Sequence, residues 1–361
     1  MKGSGEMIGG KTALFEVTKQ KLPSNLLKDR FLVPPFSVFD TRQGYWQDRK
    51  RQWQGLGIKS ELGRGDNLLY QMPCFNYEDS KAEREDQKAK ASIAEFDGYR
   101  NQNKVSTGKC LPESIGEAYG RKVQATSIFD PVLCEIVYRW FSISGAKVLD
   151  PFSGGSVRGI LAACLGRDYT GIDLSDTQVE ANKQQFDELC DRYTNVKGKI
   201  NWINGDSLNC KELAPGEYDL IFTCPPYYDL EVYSDKPGDI SNCGTYEEFM
   251  EIFRQIIKNA CDMLNDNSFA VCVVGDVRNH KKDGAYYNFV GDTTRAFMDA
   301  GLCYYNDAVL VNVTGTLPVR ASKQFNSGRK LGKQHQNVLI FYKGNTAAIK
   351  EKFGEFLVDE I

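Results

Sequence analysis

Between Asp150 and Ser175 the chain reads DPFSGGSVRGILAACLGRDYTGIDLS. The apolar AKVLD run before it reads as a short buried strand ending at Asp150, and Val157 to Leu165 reads as a helix. YTGIDLS is a second strand, ending at Asp173. Gly154, Gly155 and Gly159 in and after the turn let backbone approach a ligand closely, while the helix start offers N–H groups without helical partners. An acid at the end of the next strand is where the ribose hydroxyls of a nucleotide are gripped; Asp173 or Ser175 would equally serve as a helix cap. Strand, glycine turn, helix and strand make a βαβ unit, which calls for a parallel sheet.

The same alternation runs on. Val132 to Phe141 has helical apolar spacing, as do Thr177 to Tyr193, Tyr246 to Leu264 and Phe289 to Ala300. INWINGDS, YDLIFTCPPY and FAVCVVGDV read as strands between them. CYYNDAVLVNV and QNVLIFYKG follow with no helix between, only a Gly- and Lys-rich loop, so an antiparallel last strand is expected. Three zones result: residues 1–118 as an N-terminal accessory region, 119–345 as an α/β domain, and 346–361 as a short charged tail helix. Within the first zone, Lys81 to Lys90 reads as a solvated helix start and Asn101 to Ser114 as loop.

The 361 residues, 41% hydrophobic and 26% charged, are ample for a large core and for about two domains. No stretch reaches the roughly 20 apolar residues of a membrane span, and MKGSGEMIGGKTALFEV lacks the apolar core of a secretion signal, so a cytoplasmic setting without membrane contact is expected. The 11 cysteines form no C-x-x-C pair and there are only two histidines, so no metal site is expected and the thiols read as reduced and mostly buried. A net charge of −3 excludes a globally basic nucleic-acid binder but leaves room for a local basic surface.

TCPPYYDLEVYS ends the fourth strand of the α/β domain. Two prolines after a buried run make a rigid turn at the carboxyl edge of the sheet, and a proline carbonyl stays available as an acceptor. Tyr227 offers a flat face for a base to stack on, or simply packs.

Together, DPFSGGSVRGILAACLGRDYTGIDLS and the Cys224-Pro225-Pro226-Tyr227 turn resemble the S-adenosylmethionine-dependent DNA amino-methyltransferases, phage-borne DNA methylases included. The resemblance implies a Rossmann-like fold and S-adenosylmethionine as cofactor. Asp150, Phe152, Gly154 and Gly155 would hold its methionine part, Asp173 its ribose and Asp206 its adenine, the last also being a plausible cap. Upstream, Phe129 and Asp130 of TSIFDPVLCEIVYRWF would close over the methionine. The family's first motif position is Asp, Asn or Ser; here it is Cys224, a weak acceptor closest in shape to the Ser associated with cytosine-N4 enzymes. Thr223 or Asp229 would be the alternative polar contacts.

The chemistry explains the residue types. An exocyclic amine is a poor nucleophile because its lone pair is delocalised into the ring. Two acceptors on its hydrogens favour a pyramidal nitrogen, and an aromatic face holds the flipped base. Cys224 as a covalent nucleophile, as in cytosine-C5 enzymes, is a rival reading, but those carry Pro-Cys.

The expected partner is double-stranded DNA with the target base flipped, with a restriction endonuclease alongside or none, in a bacterial host and of phage origin by resemblance. Arg320, Lys323, Arg329, Lys330 and Lys333, in a stretch without acids between the last two strands, would contact phosphates. Asp276 and Arg278 would line the base pocket or pair with each other. In VPPFSVFDTRQGYWQDRKRQWQ, basic residues interleave with Tyr45, Trp46 and Trp53; the pattern suits nucleic-acid contact or a helix packing its aromatics on the α/β domain. An RNA amino-methyltransferase and a non-catalytic DNA-binding protein on the same scaffold are the competing functions. A nicotinamide dehydrogenase is disfavoured by Asp-Pro-Phe before the glycines.

Overall fold

A computed structural model describes residues 27–58, 129–194, 196–228, 234, 236–279, 282–315, 317–356 and 358. These fall into two compact units. One takes the described residues up to 58, from 129 to 311 and from 335 onward; the other takes 312–334. The boundary read at 118, the Lys81–Lys90 run and the Asn101–Ser114 stretch lie outside the described residues.

In the first unit, alternating strands and helices build one eight-stranded sheet: β1 (Val38–Asp40), β2 (Lys147–Asp150), β3 (Asp168–Asp173), β4 (Ile200–Asn204), β5 (Tyr218–Thr223), β6 (Leu264–Val274), β7 (Cys303–Val311) and β8 (His335–Lys343). The order is β1-β7-β8-β6-β5-β2-β3-β4. Pairing is parallel except at β8, which runs antiparallel to both β6 and β7. This is the expected Rossmann-like α/β sheet, mostly parallel with an antiparallel last strand. From β2 the chain winds outward to β3 and β4 on one side, then returns to β5 and β6 on the other. The crevice at the carboxyl ends of β2 and β5 is therefore the topological switch point, where such sheets bind ligands.

The strands are apolar on both faces because helices cover both. Val148, Leu220, Phe222 and Val271 pack into one core with α2 (Pro131–Phe141) and α3 (Val157–Cys164). Leu149, Ile221, Ala270 and Cys272, one residue out of phase, pack into the other with α5 (Tyr246–Asp262) and α6 (Phe289–Asp299). Another helix, α4 (Asp176–Arg192), follows β3 and is capped by the Ser175 side chain. Local signals set the starts: Pro131 opens α2 under the Asp130 cap, and Thr245 and Glu248 close a capping box on α5. Gly159 brings α3 against the sheet; a Cβ there would lie 2.7 Å from the Trp202 ring.

The aromatic-basic stretch resolves as a packing element. Val38–Asp40 adds β1 parallel to β7, with Val38 opposite Val309. After it, α1 (Gly44–Gly55) buries Trp46 and Trp53 in the same core as α2. Of its cations, Arg49 pairs with Glu135 and Lys50 with Asp130.

Two expectations need correction. The loop between the last two strands is partly helical: α7 spans Leu317–Gly328. Pro318 suits a first turn, and Arg320, Ala321, Lys323 and Gln324 are good helix formers, a signal masked by the flanking glycines. The tail helix does not run through 346–361: after a turn at Thr346–Ala348 it covers Ile349–Phe353 and stops at Gly354, whose φ is +64°.

Candidate active site

The loop after β2 is held from below. The Asp150 carboxylate is fully buried and takes four hydrogen bonds. Its Oδ1 accepts from Phe152 N (3.1 Å) and Thr223 Oγ1 (2.7 Å). Its Oδ2 accepts from Arg158 Nε (2.6 Å) and Tyr169 Oη (2.7 Å). The end of β2, the start of β3 and the end of β5 are thus tied to one carboxylate, which braces the loop.

Arg158 is the partner that sequence reasoning missed. Its Nη2 donates to the carbonyls of Phe152 (2.6 Å) and Ser153 (3.0 Å), and its guanidinium lies 4.6 Å from the centre of the Phe129 ring. Burial works against the charge, and the Asp150 carboxylate outweighs it, so the guanidinium stays protonated. The available signal was a lone cation on the otherwise apolar helix VRGILAAC.

Above the brace, Gly154 adopts φ +50°, and a Cβ there would point into open space. Its N–H donates to Asp173 Oδ2 (2.9 Å), and its carbonyl accepts from Asn182 Nδ2 (2.7 Å). The other Asp173 oxygen takes the Ser175 N–H at 2.8 Å. Gly155 leads into α3, whose N-cap Ser156 makes no side-chain cap bond. Asp206 accepts from Leu208 N at 2.9 Å, and its second oxygen lies 2.8 Å from where a Cβ on Gly238 would sit. Asp150, Asp173 and Asp206 therefore stand at or just past the carboxyl ends of the adjacent strands β2, β3 and β4.

The remaining residues of that set, Phe129, Asp130 and Phe152, are half-buried. Phe152 stacks on Phe253 (6.1 Å between centroids), and Phe129 packs edge-on against Phe222 (5.7 Å). Asp130 caps α2 through Val132 N (2.9 Å) and accepts from Lys50 Nζ (2.9 Å).

The Thr223–Asp150 bond sets the second motif beside the first. Cys224 is half-buried, Pro225 buried, and Pro226 and Tyr227 half-buried. The Tyr227 ring meets Phe289 edge-on at 6.1 Å. Its hydroxyl accepts from Gln336 Nε2 at 2.8 Å and lies 3.9 Å from Cys224 Sγ. Burial pushes the Tyr227 phenol well above its usual range, so it stays protonated at neutral pH. Tyr228 locks the turn: it holds φ +48°, is 4% exposed, and is surrounded by Tyr246, Phe249 and Tyr287. Gln336 was invisible beforehand because it belongs to β8, remote in sequence from the turn.

Asp276 accepts from Val290 N at the start of α6, and Arg278 donates to Gly284 O and lies 3.9 Å over the Tyr286 ring. The basic residues belong to the second unit. Lys323 and Arg329 are exposed, Lys330 and Lys333 half-buried, and Arg320 lies within α7. Among the described residues, no cluster of His, Cys, Asp or Glu could hold a metal ion, and no helix is long and apolar enough to cross a membrane.

The open cradle at Gly154, with acids at the ends of β3 and β4, fits an adenosine-bearing ligand. No family model matches the chain. Among solved structures it is similar to a methyltransferase from Pyrococcus furiosus, at 15% identity and TM-score 0.40, over 72% of this chain and 100% of that one. It is similar to the N-methyltransferase NodS from Bradyrhizobium japonicum WM9 in complex with S-adenosyl-L-homocysteine, at 14% identity and TM-score 0.38, over 64% and 98%. It is also similar to TrmN from Thermus thermophilus, at 15% identity and TM-score 0.39, over 60% of this chain and 50% of that one, so it spans half the length of that protein.

Proposed function

We propose that the chain is an S-adenosylmethionine-dependent methyltransferase acting on an exocyclic amine of a flipped base in DNA, N4 of cytosine or N6 of adenine. The observation that carries this reading is the Thr223–Asp150 hydrogen bond, which sets the Cys224–Tyr227 turn beside the glycine loop at the switch point.

The bound cofactor would supply an electrophilic sulfonium methyl. Asp173 would accept from ribose hydroxyls and Asp206 from the adenine amino group. Gly154 and Gly155 would face the methionine part, while Asp150 and Arg158 brace them from below. The Pro225 carbonyl would accept from the target amine, and the Tyr227 ring would carry the base. These residues would orient the nitrogen lone pair toward the methyl, and the amine would give up one proton to water as it takes the methyl. Arg320, Lys323, Arg329, Lys330 and Lys333 would contact phosphates.

The test incubates the purified protein with S-adenosylmethionine and DNA, with RNA in parallel, then digests to nucleosides for mass spectrometry. N4-methylcytosine or N6-methyladenine from DNA is the expected product. Methylated nucleosides from RNA alone would move the substrate class. 5-Methylcytosine would make Cys224 a nucleophile and overturn the mechanism.

Two variants separate the roles. Asp173→Ala removes the acceptor of the Gly154 and Ser175 N–H groups as well as the ribose contact. Cofactor Kd by calorimetry should rise about 10- to 100-fold, since each hydrogen bond to a charged group contributes roughly 1.5–3 kcal/mol. Tyr227→Ala should leave cofactor Kd within about twofold and lower kcat about 10- to 100-fold, the scale of one base–aromatic stack of roughly 1–3 kcal/mol. Full activity in Tyr227→Ala would remove that residue from the base site.

A further inference from the structure

The Cys224–Tyr227 turn carries a polar chain that the motif does not require. Gln336 Nε2 lies 2.8 Å from the Tyr227 oxygen, and the same oxygen lies 3.9 Å from Cys224 Sγ. An amide nitrogen only donates, so the Tyr227 oxygen is the acceptor there, and its own proton is available to the sulfur. Sulfur contacts are weak at this length, but a hydroxyl already accepting a hydrogen bond is a better donor. Burial pushes the Tyr227 phenol up, Cys224 pushes it further, and Gln336 opposes both.

We infer that Gln336 is a positioning residue for the methyl-transfer step, holding the Tyr227 hydroxyl so that it donates to Cys224 Sγ and fixes both the ring and the thiol of the turn. This rests on the proposed reaction. It addresses the departure of the motif at its first position. A carboxylate or amide is held by planar, directional bonds, whereas a thiol rotates freely and bonds weakly. With the Tyr227 proton on sulfur, the thiol's own proton must turn elsewhere, which reduces the rotor to one orientation. Gln336 reaches the turn from β8, the antiparallel strand, so closing the sheet also completes the site. Among the described residues, the titratable and charged groups that act on the Cys224–Tyr227 pair include Arg158 of α3 and Cys272 of β6.

The test uses Gln336→Leu, Tyr227→Phe, the double variant and Gln336→Glu in the full chain. Each single variant should lower kcat about 5- to 20-fold with cofactor Kd unchanged, and the double variant should be no worse than the weaker single. Gln336→Glu supplies a donor only while its carboxyl is protonated. Once ionised, it accepts the Tyr227 proton and draws it from the sulfur. Its kcat should therefore fall with rising pH through the carboxyl's titration, a limb the unaltered protein lacks.

A second readout does not need activity. The alkylation rate of Cys224 by iodoacetamide is followed by peptide mass spectrometry against pH. A donor on sulfur favours the thiolate, so Tyr227→Phe and Gln336→Leu should both move the midpoint upward, and together no further than the larger single shift. Additive losses, or an unchanged midpoint in Gln336→Leu, would overturn the inference. If the unaltered protein methylates neither DNA nor RNA, the proposed function fails, and the alkylation series still decides the Gln336–Tyr227–Cys224 chain.

Discussion

Arg158→Met should cost about 3–5 kcal/mol of folding stability, the scale for removing one partner of a buried ion pair. Met keeps most of the volume and none of the charge. Asp150, fully buried, would keep Phe152 N, Thr223 and Tyr169 but lose the cation that pairs with it. The carbonyls of Phe152 and Ser153 would lose their shared donor, so the glycine loop would loosen as the fold weakens. Arg158→Lys retains the charge without the planar fork and should fall between the two. The measurement is urea unfolding together with cofactor Kd. A variant within about 1 kcal/mol of the unaltered protein would show that the cation is not what stabilises the buried carboxylate.

Glu135→Leu should be comparably costly, about 3–5 kcal/mol, through the docking of α1 on α2. Glu135 is fully buried and accepts from Arg49 Nε (2.7 Å) and Nη2 (2.6 Å), Arg139 Nε (3.0 Å) and Trp53 Nε1 (2.7 Å). Removing it leaves Arg139, whose side chain is 6% exposed, without that carboxylate. Replacing Arg49 and Arg139 with Met in the same chain should recover much of the loss, because an apolar cluster replaces an uncompensated charge.

The pH dependence has a definite sign. Burial raises the Glu135 pKa, but Arg49, Arg139 and Trp53 outweigh it and leave it below the usual value. A lowered folded pKa gives stability that is present above the unfolded value, about 4.3, and lost as pH falls through the folded one. The gap in urea midpoint between the unaltered protein and Glu135→Leu should therefore be constant from pH 7 down to about 5 and narrow at more acid pH. A gap independent of pH down to 3 would mean that the carboxylate charge does not matter.

These two clusters show where sequence reading stopped. Asp150 is legible as the end of a strand before a glycine turn, yet its side chain points down into protein, bound by Thr223 and Tyr169 from neighbouring strands. Asp130 is legible beside Phe129, but it caps α2 and holds Lys50. In both cases the carboxylate also has partners within the protein that the sequence pattern does not show, Thr223 and Tyr169 for Asp150 and Lys50 for Asp130.

The sequence alone determined the alternation of β2 to β8 with their helices, the antiparallel last strand, the glycine turn after β2, and the gathering of Asp150, Asp173, Asp206 and Cys224 at one edge of the sheet. All of these are encoded locally. Apolar period separates strand from helix, Gly and Pro mark the turns, and strands of one sense carry their carboxyl ends to the same side. Only the tertiary structure decided that Val38–Asp40 joins the sheet beside β7, that Trp46 and Trp53 are core, and that Gln336 reaches the Tyr227 hydroxyl. Those are pairings between distant segments. A tryptophan among arginines has the same local pattern whether it faces a nucleic acid or a neighbouring helix, and only the surface it meets on folding distinguishes the two.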